Sequence, residues 1–110
     1  MAIELGEQRL DIPTDRRLVE YAERGDDPAL AALYAQYGRY LLISSTYHAE
    51  LPSNLQGIWA DSINTPWNGD MHLNINQQMN HWPLEVGNLG ELIDPLTRYV
   101  EALAESGKHT

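Results

Sequence analysis

The chain has 110 residues, 7 Lys and Arg against 16 Asp and Glu, a net charge of −9, three Trp, and neither Cys nor Phe. That length supplies one small domain or a piece of a larger one, and a hydrophobic fraction of 43% belongs to a globular chain rather than a disordered one. The acidic balance, with no Lys or Arg between Arg39 and Arg98, argues against nucleic acid and anionic membrane as partners, and the absence of Cys excludes disulfides, thiolate catalysis and Cys-ligated zinc.

Residues 1–14 read as a lead-in and 15–46 as helices. Thr14-Asp15-Arg16-Arg17 opens an amphipathic stretch with Leu18, Val19 and Ala22 apolar, and Gly25 is placed to end it. Asp27-Pro28 then reads as an N-cap followed by proline at the first helical position, where the missing N–H costs nothing. From there Leu30, Leu33, Tyr34, Tyr37, Tyr40 and Leu41 recur at three- and four-residue steps, which predicts one buried face on a helix reaching Ile43 or Ser44. The longest strongly apolar run, Tyr40–Ile43, is too short to span a bilayer, and the first residues lack the basic start and apolar core of a signal peptide.

Residues 47–83 differ in kind. They hold all three Trp (Trp59, Trp67, Trp82) and six of the seven Asn, punctuated by Pro52, Pro66, Gly57 and Gly69. Carboxamides offer both donor and acceptor, which suits paired sugar hydroxyls, and an indole offers a flat face to the C–H side of a sugar ring. The composition leans toward carbohydrate recognition, with a structural loop as the alternative. Within this zone His72, Asn74 and Asn76 alternate with Leu73 and Ile75. In an extended chain the imidazole and two amides would share one face while the aliphatics anchor the other; an edge strand with its polar face in water fits the same spacing.

Residues 84–110 read as helical again. Asn88 with Glu91 has the spacing of a capping box, Asp94-Pro95 repeats the Asp-Pro start, and Leu96, Tyr99, Val100 and Leu103 form an apolar stripe. Glu101 and Glu105 are expected to face water and Gly107 to stop the helix. His48, His72, His81 and His109 show no short metal-ligand spacing, and no phosphate loop or nucleophile elbow appears, so no metal or cofactor is expected.

Several linked motifs go further. Leu51-Pro52-Ser53-Asn54-Leu55-Gln56-Gly57-Ile58-Trp59, then Asn64-Thr65-Pro66-Trp67, then His72-Leu73-Asn74-Ile75-Asn76 through Asn80-His81-Trp82-Pro83, resemble glycoside hydrolase family 95, a family of α-L-fucosidases with some α-L-galactosidases. Asp27-Pro28-Ala29-Leu30, Gln36–Ile43 and Asn88-Leu89-Gly90-Glu91-Leu92 fit the same pattern, so the resemblance covers roughly residues 11–108. It implies an all-α fold, a partial (α/α)6 barrel of several helices with a long irregular active-site segment, the chain being a single incomplete piece of the catalytic domain.

The resemblance further implies an inverting, exo-acting enzyme on terminal α-L-fucosyl linkages of glycans, chiefly α-1,2. Inversion needs a general acid on the leaving oxygen and a group that orients water on the opposite face. The match places the water-holding amides on Asn74 and Asn76, with an aspartate from a distant segment supporting them, and His72 on the sugar pocket, where it favours fucose over L-galactose. Trp59 and Trp67 are the candidate stacking residues. Glu85 and Glu91 stand too early in the motif order to be the acid, and Asp61 and Asp70 match no catalytic motif, so the acid and the supporting aspartate are expected from other segments. The implied partner is a fucosylated oligosaccharide, and a secreted or envelope-attached parent is suggested. The other readings are an α-L-galactosidase of the same family and a non-catalytic acidic helical module binding sugar or protein. The chain departs from the family pattern where Thr46-Tyr47-His48-Ala49-Glu50 replaces Ser-Arg-Pro-Gly, which predicts a lost basic residue and a lost turn, and where His81 replaces Tyr and Gln77-Gln78 replaces an apolar residue plus Gln.

Overall fold

A computed structural model describes residues 2–109. Among them the secondary structure is helical, with no strand, in five α-helices: α1 (Thr14–Arg24), α2 (Pro28–Thr46), α3 (Asn76–His81), α4 (Pro83–Val86) and α5 (Asp94–Gly107), with short 3-10 turns at Pro66–Gly69 and Gly90–Ile93. No helix is long and apolar enough to cross a membrane, and no group of three or more His, Asp or Glu among the described residues is placed to hold a metal ion. The chain divides after Gly38 into two compact units.

In the first unit α1 ends where its glycine predicts. Gly25 takes a left-handed conformation (φ 68°) and its N–H bonds the Tyr21 carbonyl at 2.8 Å. Asp27 then does two jobs. Its Oδ1 accepts the Leu30 N–H at 2.9 Å, capping α2 ahead of Pro28, and both its oxygens accept from the Arg17 guanidinium, Nε and Nη2 each at 2.9 Å. Asp27 and Arg17 are 3% and 4% exposed, so the pair is buried. Arg9 lies 3.8 Å from Asp27 and donates to Glu20 at 2.8 Å.

The Arg17 hydrogen bonds, helped by the Leu30 N–H and the charge of Arg9, hold the Asp27 carboxyl below its ordinary range against the opposing effect of burial. A carboxyl whose folded pKa is lowered stabilises the fold fully above its unfolded value of about 3.9 and loses that contribution as pH falls through the folded value. Denaturant midpoints are therefore expected to fall as pH drops below about 4, and Asp27→Asn to be less stable at neutral pH with a flatter acid limb.

The predicted buried stripe of α2 is corrected by the structure. Leu30 is buried, but Leu33, Tyr34, Tyr37 and Tyr40 are exposed, and the helix buries Ala29, Ala32, Leu42 and Thr46 instead. Helical period identifies an apolar face, whereas burial requires a surface packed against it. In the first unit Leu18, Tyr21, Leu30, Leu33, Tyr34 and Tyr37 instead line an open groove of about 650 Å³.

The second unit is built on a leucine cluster of Leu42, Leu84, Leu89 and Leu92. The chain doubles back tightly after α4: Gly87 N–H bonds Pro83 O at 2.7 Å and Leu89 N–H bonds Leu84 O at 2.7 Å. A Cβ on Gly87 would sit 2.5 Å from the Pro83 carbonyl, so only glycine fits there. Asn88 is left-handed (φ 53°) within this turn and not a cap, and the 3-10 turn that follows has no side-chain cap, which corrects the capping-box expectation. Asp94-Pro95 does start α5, although Asp94 is the first helical residue and not its cap; Gly107 closes it, and Glu101 and Glu105 are exposed. Leu96, Tyr99 and Leu103 are half-buried, while Val100 of the predicted stripe is exposed.

The turn predicted lost at 46–50 is present. His48 adopts a left-handed conformation (φ 56°), Ala49 N–H bonds Thr46 O at 3.0 Å, and Arg98 of α5 donates to Ala49 O at 3.0 Å. A backbone turn held from both sides needs neither Pro nor Gly in the sequence.

Candidate functional site

The segment after α2 is pinned before it becomes irregular. Ser45 and Thr46, in the last turn of α2, reach the buried Ser53 hydroxyl, Thr46 at 3.4 Å. From that anchor Asn54 folds an Asx turn, its Oδ1 accepting the Gln56 N–H at 3.2 Å while its carbonyl accepts the Gly57 N–H at 3.2 Å. Gly57 is left-handed (φ 65°), and a Cβ there would meet the Trp59 ring at 2.7 Å. Glycine thus lets the indole fold back over its own loop. Trp59 remains partly exposed and lies 6.3 Å from the Tyr40 ring at an interplanar angle of 54°.

Trp67 sits in the 3-10 turn Pro66–Gly69, where it and Asn68 both take left-handed conformations, and its side chain is 67% exposed. Gly69 ends the turn with φ 65°. Three polar ends converge on the position where its Cβ would be: Asn54 Nδ2 at 3.2 Å, Gln56 Nε2 at 3.3 Å and Thr65 Oγ1 at 3.5 Å.

His72 to Asn76 is not extended. Leu73–Ile75 is a turn, with a cis peptide between Asn74 and Ile75, and α3 begins at Asn76. Leu73 and Ile75, expected to anchor the far side, are 45% and 46% exposed. Asparagine side chains compete for backbone partners in turns and suit helix starts, which outweighs the alternation pattern over so short a run. The outcome still places His72 beside the asparagines. The His72 carbonyl accepts the Gln77 N–H at 2.8 Å, which closes the five residues onto the first turn of α3. His72 and Asn76 are half-buried, Asn74 is exposed, and the His72 Nε2 is buried without a hydrogen-bond partner.

Helix α3 connects this turn to the Asn54 loop. Asn80 Nδ2 donates to the Asn54 carbonyl at 3.0 Å. Asn76 and Asn80 stand four residues apart and share one helix face, about 6 Å along the axis. The loop bearing Asn54 and Gln56 is therefore tied one turn from Asn76. The helix interior is sealed by Gln77 and His81, both buried. His81 Nδ1 and the Gln77 carbonyl are 2.8 Å apart; a carbonyl only accepts, so Nδ1 carries the proton and Nε2 is a buried atom without a partner. The departures from the family pattern at these positions thus form part of α3's own packing.

The Asn54–Asn80 tie and the convergence on Gly69 escaped the sequence reading. Their signal was an asparagine three residues ahead of a glycine, Asn54 and Gly57, which marks a turn without saying what the turn faces. Asp61, Asp70, Glu85 and Glu91 are all exposed. In this unit a separate cavity of about 590 Å³ lies between Thr46–Glu50 and Glu91–Arg98, and its lining contains none of His72, Asn74 or Asn76.

Comparison with known proteins agrees with the motif reading. Residues 1–110 match the glycosyl hydrolase family 95 catalytic domain. The chain is 52% identical over 84 residues to alpha-L-fucosidase 2 of Arabidopsis thaliana, covering 76% of this chain and 10% of that protein. It is 49% identical over 90 residues to probable alpha-fucosidase A of Aspergillus niger (82% and 11%) and 49% over 75 residues to the protein of that name from Aspergillus oryzae (68% and 10%). It spans about a tenth of the length of these relatives.

Proposed function

Because the chain belongs to the glycosyl hydrolase family 95 catalytic domain, we propose that it supplies the asparagine-bearing part of an exo-acting, inverting α-L-fucosidase that removes terminal α-L-fucosyl groups, chiefly α-1,2-linked, from glycans. The rest of the domain, including the remaining helices of an (α/α)6 barrel, comes from other segments of the parent polypeptide. One observation carries the reading: the half-buried His72, whose Nε2 is buried without a partner, is closed by its own carbonyl onto the helix turn that begins with Asn76. A buried polar atom left unpaired costs free energy unless a partner arrives, and a sugar hydroxyl is the partner this reading supplies.

Hydrolysis with inversion places water on the face of the anomeric carbon opposite the leaving oxygen. Asn74 and Asn76 hold that water through their carboxamide oxygens. An amide oxygen is a weak base, so its effectiveness rests on a carboxylate that accepts from the amide N–H2 and polarises the group. That carboxylate and the general acid come from other segments. Residues 40–97 contain no Lys or Arg, so this stretch offers no cationic side chain for an anionic ligand, which fits an uncharged sugar. Trp59 and Trp67 offer indole faces for ring stacking.

The test is hydrolysis of a 2′-fucosylated oligosaccharide by the full-length protein. Free L-fucose is expected, with an α-L-galactoside a poor substrate. An enzyme that prefers the L-galactoside reassigns His72, and one that cleaves neither overturns the reading.

A further inference from the structure

Asn80 has no role in the water-holding scheme, yet its side chain joins α3 to a loop 26 residues earlier in the chain. Resting on the fucosidase reading and deepening it, we propose that Asn80 is a positioning residue for glycan binding, whose amide locks the Asn54–Gly57 turn that presents the Trp59 indole to the sugar. The bond is directional. A carbonyl only accepts, so the Asn80 amide turns its N–H2 toward the Asn54 oxygen, 3.0 Å away. The same carbonyl accepts the Gly57 N–H at 3.2 Å, and Asn54 Oδ1 accepts the Gln56 N–H at 3.2 Å. Both lone pairs of the Asn54 carbonyl are therefore engaged, one closing the turn and the other tying it to α3. The base of the loop is held separately, where Ser53 meets Ser45 and Thr46 of α2. Loss of the Asn80 amide would leave the turn its own two bonds and remove the one that fixes it to the helix.

What the turn carries is an indole. Gly57 is left-handed (φ 65°), and a Cβ there would overlap the Trp59 ring at 2.7 Å, so ring and turn lie against each other. A shift of the turn moves the ring with it. Trp59 is 40% exposed, which leaves part of its face to a ligand, and the Tyr40 ring stands beside it at 6.3 Å. An indole that stacks on a sugar binds more tightly when it is held before the ligand arrives, because ordering it on binding costs affinity. Helix α3 is seated by the buried Gln77 and His81, which makes it the fixed partner and the loop the positioned one.

The experiment compares the full-length wild type with Asn80→Ala, Trp59→Ala and the double variant on a 2′-fucosylated oligosaccharide. Alanine is a good helix former, so Asn80→Ala keeps α3. That variant is expected to raise KM about three- to tenfold, the size of one lost hydrogen bond, with kcat unchanged within about twofold. Trp59→Ala is expected to raise KM by at least as much. In the Trp59→Ala background the Asn80 change should add less than about twofold, because it acts through the ring that is already gone. A merely structural role would reduce the fraction of folded enzyme, which lowers the apparent kcat and leaves KM and the coupling unmoved. Effects that multiply independently, a loss confined to kcat, or a wild-type KM in either single variant overturns the inference. If Asn80→Ala fails to fold, Asn80→Asp keeps the shape and removes the donor, and the same cycle is run with it. A wild type inactive on every fucoside instead overturns the fucosidase reading, and the inference falls with it.

Discussion

In the full-length enzyme, Asn76→Ala is expected to lower kcat/KM for a fucosyl substrate by about 10² to 10⁴, the range for removing a group that positions or deprotonates the attacking water. The loss should fall on kcat, because Asn76 is proposed to act on the water and not on substrate affinity. Its place supports a clean substitution. Asn76 is the first residue of α3, half-buried, ahead of a helix whose first turn is held by the His72–Gln77 and Ile75–Met79 backbone bonds. Alanine is a good helix former and keeps those bonds, so circular dichroism and thermal midpoint should change little. Activity within tenfold of wild type would remove Asn76 from the mechanism. Asn74→Ala is expected to act in the same direction, since one amide of the pair would then hold the water alone.

Leu84→Ala is expected to cost about 2–5 kcal/mol of stability, the range for emptying a buried leucine site. Leu84 is 2% exposed, belongs to the cluster with Leu42, Leu89 and Leu92, and accepts the Leu89 N–H through its carbonyl. The tight turn after α4 leaves little room for collapse, because Gly87 already lies against the Pro83 carbonyl. Set against a typical domain stability of about 5–15 kcal/mol, that loss is large. Only Trp82 separates α4 from α3, so a loosened α4 should also cost activity. Equilibrium denaturation measures the effect, and a change below about 1 kcal/mol would show that the leucine cluster does not hold this unit.

What the sequence made legible was punctuation. Gly25, Asp27-Pro28, Asp94-Pro95 and Gly107 mark helix limits through local chemistry alone, and the structure places helix ends within a residue of each. Long-range consequences were not legible. Nothing in the spacing of Arg17 and Asp27 says that they pair, because the pairing depends on how α1 meets the start of α2. The tyrosine stripe of α2 was identified as apolar but not as exposed, since pattern reports chemistry and burial reports neighbours. His72–Asn76 alternates as a strand does yet forms a turn, because alternation over five residues weighs less than the turn preference of two asparagines. At the site, the motif identified which residues to watch, and the structure added the Asn80–Asn54 tie that brings the amide loop alongside α3.

The central claim is that paired carboxamides direct water at an anomeric carbon. The most direct measurement is the anomeric form of the sugar first released when the full-length protein cleaves a terminal α-L-fucosyl linkage, followed by proton NMR before mutarotation. Water delivered opposite the leaving oxygen gives β-L-fucose first, with the α form appearing only as the sugar equilibrates. Release of α-L-fucose first would mean a covalent route through a carboxylate nucleophile, which neither Asn74 nor Asn76 could supply, and would contradict the account.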